Sequence, residues 1–448
     1  MTQSVSERWS LLNWVERARE TYQINQAWSH QKFVTRSLSS PWRQPYHPIL
    51  ALSSKRLVVS AGNAITSYRF GYDRINRQSV VEYEGSHLVF PSIQGDPNSI
   101  LDITGLTFLP DGETLLVSNF EGTLVRVRIS PDNDGAIETL PKDRNRREAD
   151  RPLQASRTAI YDVKIGRIRT LTSSGTIAVS VAESGQTAVV NSASPWMKPA
   201  IVNIGKVTWS SHLELDSSTP YLALGTRSSV SVYPFSDGVL RASPTAELGG
   251  PGRGTPVYCV AQYIPGGSPD ILASGWYDGK VRIHDLRCSQ RTWSLDSTTL
   301  GALAPVMTLS DPWRSFDPVY SLAARGMLDD EGARRTGCHG GGGGLAHQHH
   351  YLTAGSSFHS VVCLWDVRQP SESWSLFAPG GDRSPVHSLK TEGSRIWGVT
   401  ERRAFVVDFA PDAASTRFPD VERGAHHTGN PYLHRYGSRL SLKVHYKA

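Results

Sequence analysis

A chain of 448 residues is long enough to bury a sizeable core, and with 39% hydrophobic and 20% charged residues it belongs among globular proteins. Its formal charge of +6 is carried by scattered basic residues, so acidic partners are tolerated and nucleic acid is not expected. The four cysteines lack CxxC spacing, no apolar run is long enough to span a bilayer, and Glu7, Arg8, Glu16 and Arg17 interrupt any signal-peptide core, so a reducing cytoplasmic or nuclear location is expected.

In chain order, residues 1–40 read as a helical linker, with Trp9, Leu12, Trp14 and Val15 forming a partial apolar face. From 41 to 410 one unit recurs: a short apolar strand, a turn, a strand of small residues, a tight turn and a third alternating strand. The first copy spans 49–52, 57–61 and 65–70. The second runs from Ile103-Thr104-Gly105-Leu106 through 115–118 to 123–129. The third is read from Ile160-Tyr161-Asp162-Val163, with 168–172 and 176–181 as its next two strands. The fourth combines 207–209, 221–225 and 230–233. The clearest three follow: Val257-Tyr258-Cys259-Val260 with 271–276 and 280–285; Val319-Tyr320-Ser321-Leu322 with 351–355 and 361–368; and Val386-His387-Ser388-Leu389 with 396–399 and 404–408. Between them lie long polar loops at 131–153, 287–316 and 326–349. Residues 411–448 read as a tail, whose alternating stretch 440–446 is a candidate for closing the ring; Lys32-Phe33-Val34 competes for that role.

One such unit cannot bury both of its sheet faces, whereas radial packing of several does. A period of roughly 45 to 65 residues with turn signals in every unit therefore predicts an all-β fold, a seven-bladed WD40-type β-propeller preceded by a short N-terminal helical segment. Tyr277-Asp278-Gly279 is a tight-turn signal. Gly275, Asp278, Trp365 and Asp366 are assigned to the repeat's own structure: a small residue between crowded strands, a turn acceptor, and a packing Trp-Asp pair.

No GxxxxGK[ST], HExxH or GxSxG motif is present, no spacing singles out a catalytic triad, and no enzyme activity, cofactor or metal is expected. Cys338, His339, His347, His349 and His350 flank five successive glycines, a poor scaffold for a metal because closing an unordered loop costs entropy. Lys142, Arg144, Arg146 and Arg147 are diluted by Asp143 and Glu148 and read as a solvated loop. The functional surface is expected on the narrow face where first strands begin and second-to-third-strand turns project. Tyr161, Tyr258, Tyr320 and His387 are read at first-strand starts, with Phe120, Arg227, Tyr277 and Phe358 in the turns. Aromatic and arginine side chains dominate interface energies, so this face is expected to hold a protein target.

The last three units resemble F-box/WD40 proteins of the dactylin type, substrate receptors of cullin-based ubiquitin ligases. The resembling residues include Pro256-Val257-Tyr258-Cys259, Ser274-Gly275-Trp276-Tyr277-Asp278-Gly279-Lys280-Val281-Arg282, Val362-Cys363-Leu364-Trp365-Asp366-Val367-Arg368 and Ser384-Pro385-Val386-His387-Ser388-Leu389. The segment from Asn13-Trp14 through Tyr22 to Trp28 is similar to the linker that follows an F-box, and the F-box itself, which would precede it, is not in this sequence. The resemblance implies a substrate receptor that engages the ligase adaptor and cullin when an F-box lies upstream. The alternative is a non-enzymatic scaffold with no role in ubiquitination.

Overall fold

The computed structural model describes residues 14–42, 46–73, 78–90, 101–129, 155–236, 238–249, 255–262, 268–288, 302–311, 317–324 and 351–419. The chain enters through helix α1 (Trp14–Ser29), which carries Glu16 in its first turn, where the helix dipole favours a negative charge. Thr21, Ile24 and Trp28, spaced three and four apart, form its buried stripe. A Schellman-type end terminates it, with Gln31 left-handed at φ 56 and the Lys32 amide donating to the Ala27 carbonyl at 2.8 Å. Strand β1 (Val34–Ser37) follows.

The remaining strands form seven antiparallel sheets arranged as the blades of a propeller. Blade 1 contains β2 (Leu50–Leu52), β3 (Arg56–Ala61), β4 (Ala64–Asp73) and β5 (Gln78–Leu88); blade 2 contains β6 (Ile103–Phe108), β7 (Thr114–Asn119), β8 (Leu124–Ile129) and β9 (Ala155–Tyr161). Blade 3 is β10 (Ile168–Ser174), β11 (Ile177–Ala182), β12 (Gln186–Asn191) and β13 (Ala200–Asn203). Blade 4 is β14 (Thr208–Glu214), β15 (Tyr221–Thr226) and β16 (Val230–Ser236), whose outer edge is shared by β17 (Val239–Leu240) and β18 (Ala246–Leu248). Blade 5 has β19 (Val257–Gln262), β20 (Ile271–Trp276), β21 (Lys280–Asp285) and β22 (Met307–Ser310); blade 6 has β23 (Val319–Ala324), β24 (Tyr351–Ser356), β25 (Val361–Asp366) and β26 (Ser373–Phe377). Blade 7 takes β27 (Val386–Glu392), β28 (Arg395–Thr400) and β29 (Ala404–Asp408) from the end of the chain and β1 from its beginning.

Pairing of β1 with β29, from Val34↔Asp408 to Ser37↔Phe405, closes the ring. Of the two candidate segments, the N-terminal one thus supplies this strand; 440–446 lies outside the described residues. Closure is also visible at the centre, where each inner strand touches the next in the series β2, β6, β10, β14, β19, β23, β27 and back to β2. Hydroxyls bridge neighbours there: Thr107 to Ser173 and Thr170 to Ser211, both at 2.7 Å, and Ser321 to the Val386 carbonyl at 2.7 Å.

One strand assignment from the sequence is corrected. The segment containing Ile160-Tyr161 ends β9, the outer strand of blade 2, and the inner strand of blade 3 begins at Ile168. Residues 168–172 and 176–181 are accordingly the first and second strands of that blade, not its second and third. A short alternating strand has the same pattern at the inner or outer edge of a blade, so only its partner decides the matter.

Candidate protein-binding face

Because inner and second strands are antiparallel, the start of each inner strand lies beside the second-to-third-strand turn, and these ends together form the upper face. In six blades the register between these two strands slips after the first pair. The skipped residues are Thr104, Arg169, Trp209, Tyr258, Tyr320 and His387. A β-bulge bends its strand and re-aims the extra side chain. Here it places one side chain per blade at equivalent positions on six consecutive blades.

Those of blades 3 to 7 make a continuous arc. The Arg169 guanidinium lies 5.5 Å from the Trp209 ring and 5.5 Å from the Phe120 ring, with Arg167 on Phe120 at 5.3 Å. Trp209 meets Tyr258 edge-on at 5.9 Å, Tyr258 meets Tyr320 at 4.8 Å, Tyr320 meets His387 at 6.0 Å, and His387 meets His47 at 4.7 Å. Tyr277 joins from its turn, 6.0 Å from Tyr258. Edge-to-face pairs lock the rings mutually while leaving surface to solvent; Tyr277 is 53% exposed and Trp209 36%.

The arc's electrostatics follow from partial burial. Desolvation raises the Tyr258 and Tyr320 phenols above the ordinary tyrosine value, so both stay protonated hydrogen-bond donors at neutral pH. His387 is lowered to about 3, first by burial and then by His47, which keeps it neutral 3.7 Å from the Glu401 carboxylate. Arg169 ion-pairs with Glu183 at 2.6 Å and holds that carboxyl below its ordinary value.

Of the residues read from the sequence, Phe120, Tyr258, Tyr277, Tyr320 and His387 come together in this arc. Arg227 and Phe358 occupy the expected turns of blades 4 and 6 and are exposed, without a ring contact to the arc. Tyr161 is not at an inner-strand start: it sits at the end of β9 opposite Leu124 and is buried, at 4% exposure, among Leu124, Val163 and Ile165. Sequence reading missed Arg169, Trp209 and His47. The first two follow the first residue of their inner strand, as Tyr258 follows Val257, but where those strands begin is decided only by their pairing.

The structural residues have direct explanations. A side chain at Gly275 would place Cβ 2.5 Å from both Cys259 Sγ and Val319 Cγ1. Asp278 accepts the Lys280 amide at 3.3 Å and pairs with Arg282 at 2.5 Å. Trp365 is buried at 2% exposure, and Asp366 accepts the Arg368 amide at 3.0 Å and pairs with its guanidinium at 2.6 Å. The degenerate counterpart Asp285 repeats this with Arg287, at 3.0 and 2.7 Å. Among the described residues, no group of three or more His, Cys, Asp or Glu is arranged to hold a metal, and no helix is long and apolar enough to cross a membrane. The segments 338–350 and 142–147 lie outside the described residues.

No protein-family model matches this sequence, and no curated protein is significantly similar to it. The fold is a seven-bladed β-propeller, consistent with the WD40 type and with a protein-binding scaffold.

Proposed function

We propose that this propeller binds a protein target on its upper face, through the arc from Phe120 and Arg169 across Trp209, Tyr258, Tyr277 and Tyr320 to His387, and that it serves as a substrate receptor of a cullin-based ubiquitin ligase. The observation that carries the binding reading is the bulge repeated in blades 2 to 7, which in blades 3 to 7 presents large side chains at equivalent places on one rim. Natural interfaces favour such pre-positioned aromatic and arginine anchors because little rotamer entropy remains to be lost on binding. Arg227 and Phe358 flank the arc as peripheral contacts. The receptor reading draws on the dactylin-type motifs and on a separation of ends. Helix α1 packs by Trp28 against Tyr351, at the start of β24, and Phe409, just past β29, both at the end of the propeller opposite the arc. A target and an adaptor would therefore occupy different ends.

The test compares full-length wild type with a Trp209→Ala/Tyr258→Ala double variant in a pull-down, with melting temperatures measured for both. Loss of one true anchor costs about 2 kcal/mol or more of affinity, so the double variant is expected to lose its partners while remaining folded. A folded double variant that retains the same partners in the same yield refutes the face. Recovery of targets without any cullin-complex subunit favours the scaffold reading over the ligase reading.

A further inference from the structure

The arc is not chemically uniform. At its blade 3 end, Glu183 answers both arginines, Arg169 at 2.6 Å and Arg167 at 3.8 Å. Their guanidiniums already lie over Phe120 and Trp209. At the opposite end, in the β28–β29 turn, the Glu401 carboxylate has a single ion-pair partner among the described residues, His387 at 3.7 Å. That separation is too long for a hydrogen bond, and the ring is neutral, so it supplies no counter-charge. The Glu401 side chain is 31% exposed, within reach of a ligand. Two neighbouring cations are held by other carboxylates: Arg403 by Asp382 at 2.8 Å, and Arg282 by Asp278 at 2.5 Å.

Between the two ends stand the tyrosines. Trp209, Tyr277 and Tyr320 meet Tyr258 at interplanar angles of 70°, 67° and 66°, so the rings face several directions instead of stacking flat. Tyr277 and Trp209 remain open to solvent. Desolvation first, then Tyr277 and Glu401, raise the Tyr320 phenol, which puts the unbalanced carboxylate within electrostatic reach of the cluster. The faces of aromatic rings carry negative potential and attract cations. Such faces beside an uncompensated carboxylate favour a positive ligand and disfavour an anion.

We infer that this sector of the arc receives a basic side chain of the target, a lysine or arginine whose cation sits against Tyr258, Tyr277 and Tyr320 with Glu401 as its counter-charge. The inference rests on the arc being the binding face and adds the chemistry of the residue it holds. An apolar target residue would gain nothing from Glu401, and an acidic one would be repelled by it.

The experiment titrates the full-length protein with short capped Gly-Ser peptides carrying one central arginine, lysine, citrulline, leucine or glutamate. Ligand-detected NMR gives the affinities, and melting temperatures check that each variant is folded. Citrulline keeps the shape of arginine and removes its charge. The arginine and lysine peptides are expected to bind at least about fivefold more tightly than the other three. Glu401→Gln should remove most of that preference. Tyr277→Leu should weaken the arginine peptide while Tyr277→Phe retains it, because only an aromatic face attracts a cation. Asp162→Asn, which removes an exposed carboxylate from the β9–β10 loop, should bind like wild type. Arginine and citrulline peptides that bind equally, or both not at all, overturn the inference, as does a preference that survives Glu401→Gln. The pull-down with Trp209→Ala/Tyr258→Ala separates the two readings. If that variant loses its partners while the peptides show no charge preference, the arc is the binding face and the basic-residue inference fails alone. If it keeps its partners, the face fails and the inference with it.

Discussion

At the residue scale the decisive contacts lie between blades. Gly275 has no side chain because the first residue of the next inner strand, Val319, leans into that space; Gly355 is enclosed in the same way by Val386, whose Cβ would lie 2.6 Å from an added Cβ. Gly275→Val places branched carbons where two neighbours already sit. It is expected to destabilise the fold by about 1–3 kcal/mol or more, read as a lower midpoint in chemical denaturation; an unchanged midpoint would contradict this packing. Glu392 offers a pH-dependent counterpart. Burial raises its carboxyl to about 7, from an ordinary value of 4.5, against the opposing pull of Arg395. The folded state therefore binds an extra proton between these values, and this group's contribution to stability falls as pH rises from about 4.5 to about 7. Glu392→Gln should melt higher than wild type at pH 8 and about equally at pH 4. Equal melting temperatures at both pH values would mean the carboxyl is not perturbed.

At the element scale, the N-terminal segment is more than a linker. Helix α1 inserts Trp28 between Tyr351 and Phe409, with centroid separations of 4.7 and 4.2 Å, into a core shared by blades 6 and 7. Strand β1 then satisfies the backbone edge of β29. An uncovered edge strand invites pairing with other chains. Trp28→Ala is expected to cost about 3–5 kcal/mol, since the residue is fully buried. A chain lacking residues 1–37 should be more prone to aggregate than Trp28→Ala, which retains β1. Sedimentation of the two variants at matched concentration tests this order, and equal monodispersity would count against β1 as the closing strand.

At the scale of the whole molecule, closing the ring converts seven marginal sheets into one cooperative unit, and buried groups spread round it make its stability pH-dependent. His212, His284 and His387, in blades 4, 5 and 7, are lowered from 6.5 to about 3, 4 and 3, in each case chiefly by burial. His284 Nε2 donates to the Gly249 carbonyl at 2.8 Å, which fixes its neutral tautomer. Depressed folded-state values mean stability that is present above 6.5 and lost as pH falls towards 3 to 4. Glu392 acts in the opposite sense only between about 4.5 and 7. With three histidines against one carboxyl, the wild-type melting temperature is expected to drop on acidification from pH 7 to 4. A His284→Asn variant should show a shallower drop, and an identical slope would exclude His284 from the acid response.

The repeat, its alternation and its turn residues were legible in the sequence because each blade states its own strands locally: Val257-Tyr258-Cys259-Val260 and Tyr277-Asp278-Gly279 mark one blade without reference to any other. The blade count and the structural parts of Gly275, Asp278, Trp365 and Asp366 follow from such local signals. Strand order within a blade did not, because Ile160-Tyr161 reads alike as an inner or an outer strand until its partner, β8, is known. The binding arc was half visible: Tyr258, Tyr320 and His387 announce themselves beside strong repeat motifs, whereas Arg169 and Trp209 depend on a register slip that exists only between paired strands. Ring closure was the most remote of all, since Val34 and Asp408 meet across nearly the whole chain. Sequence fixes what each segment can form; only the packed ring decides which edges, faces and distant ends it must satisfy.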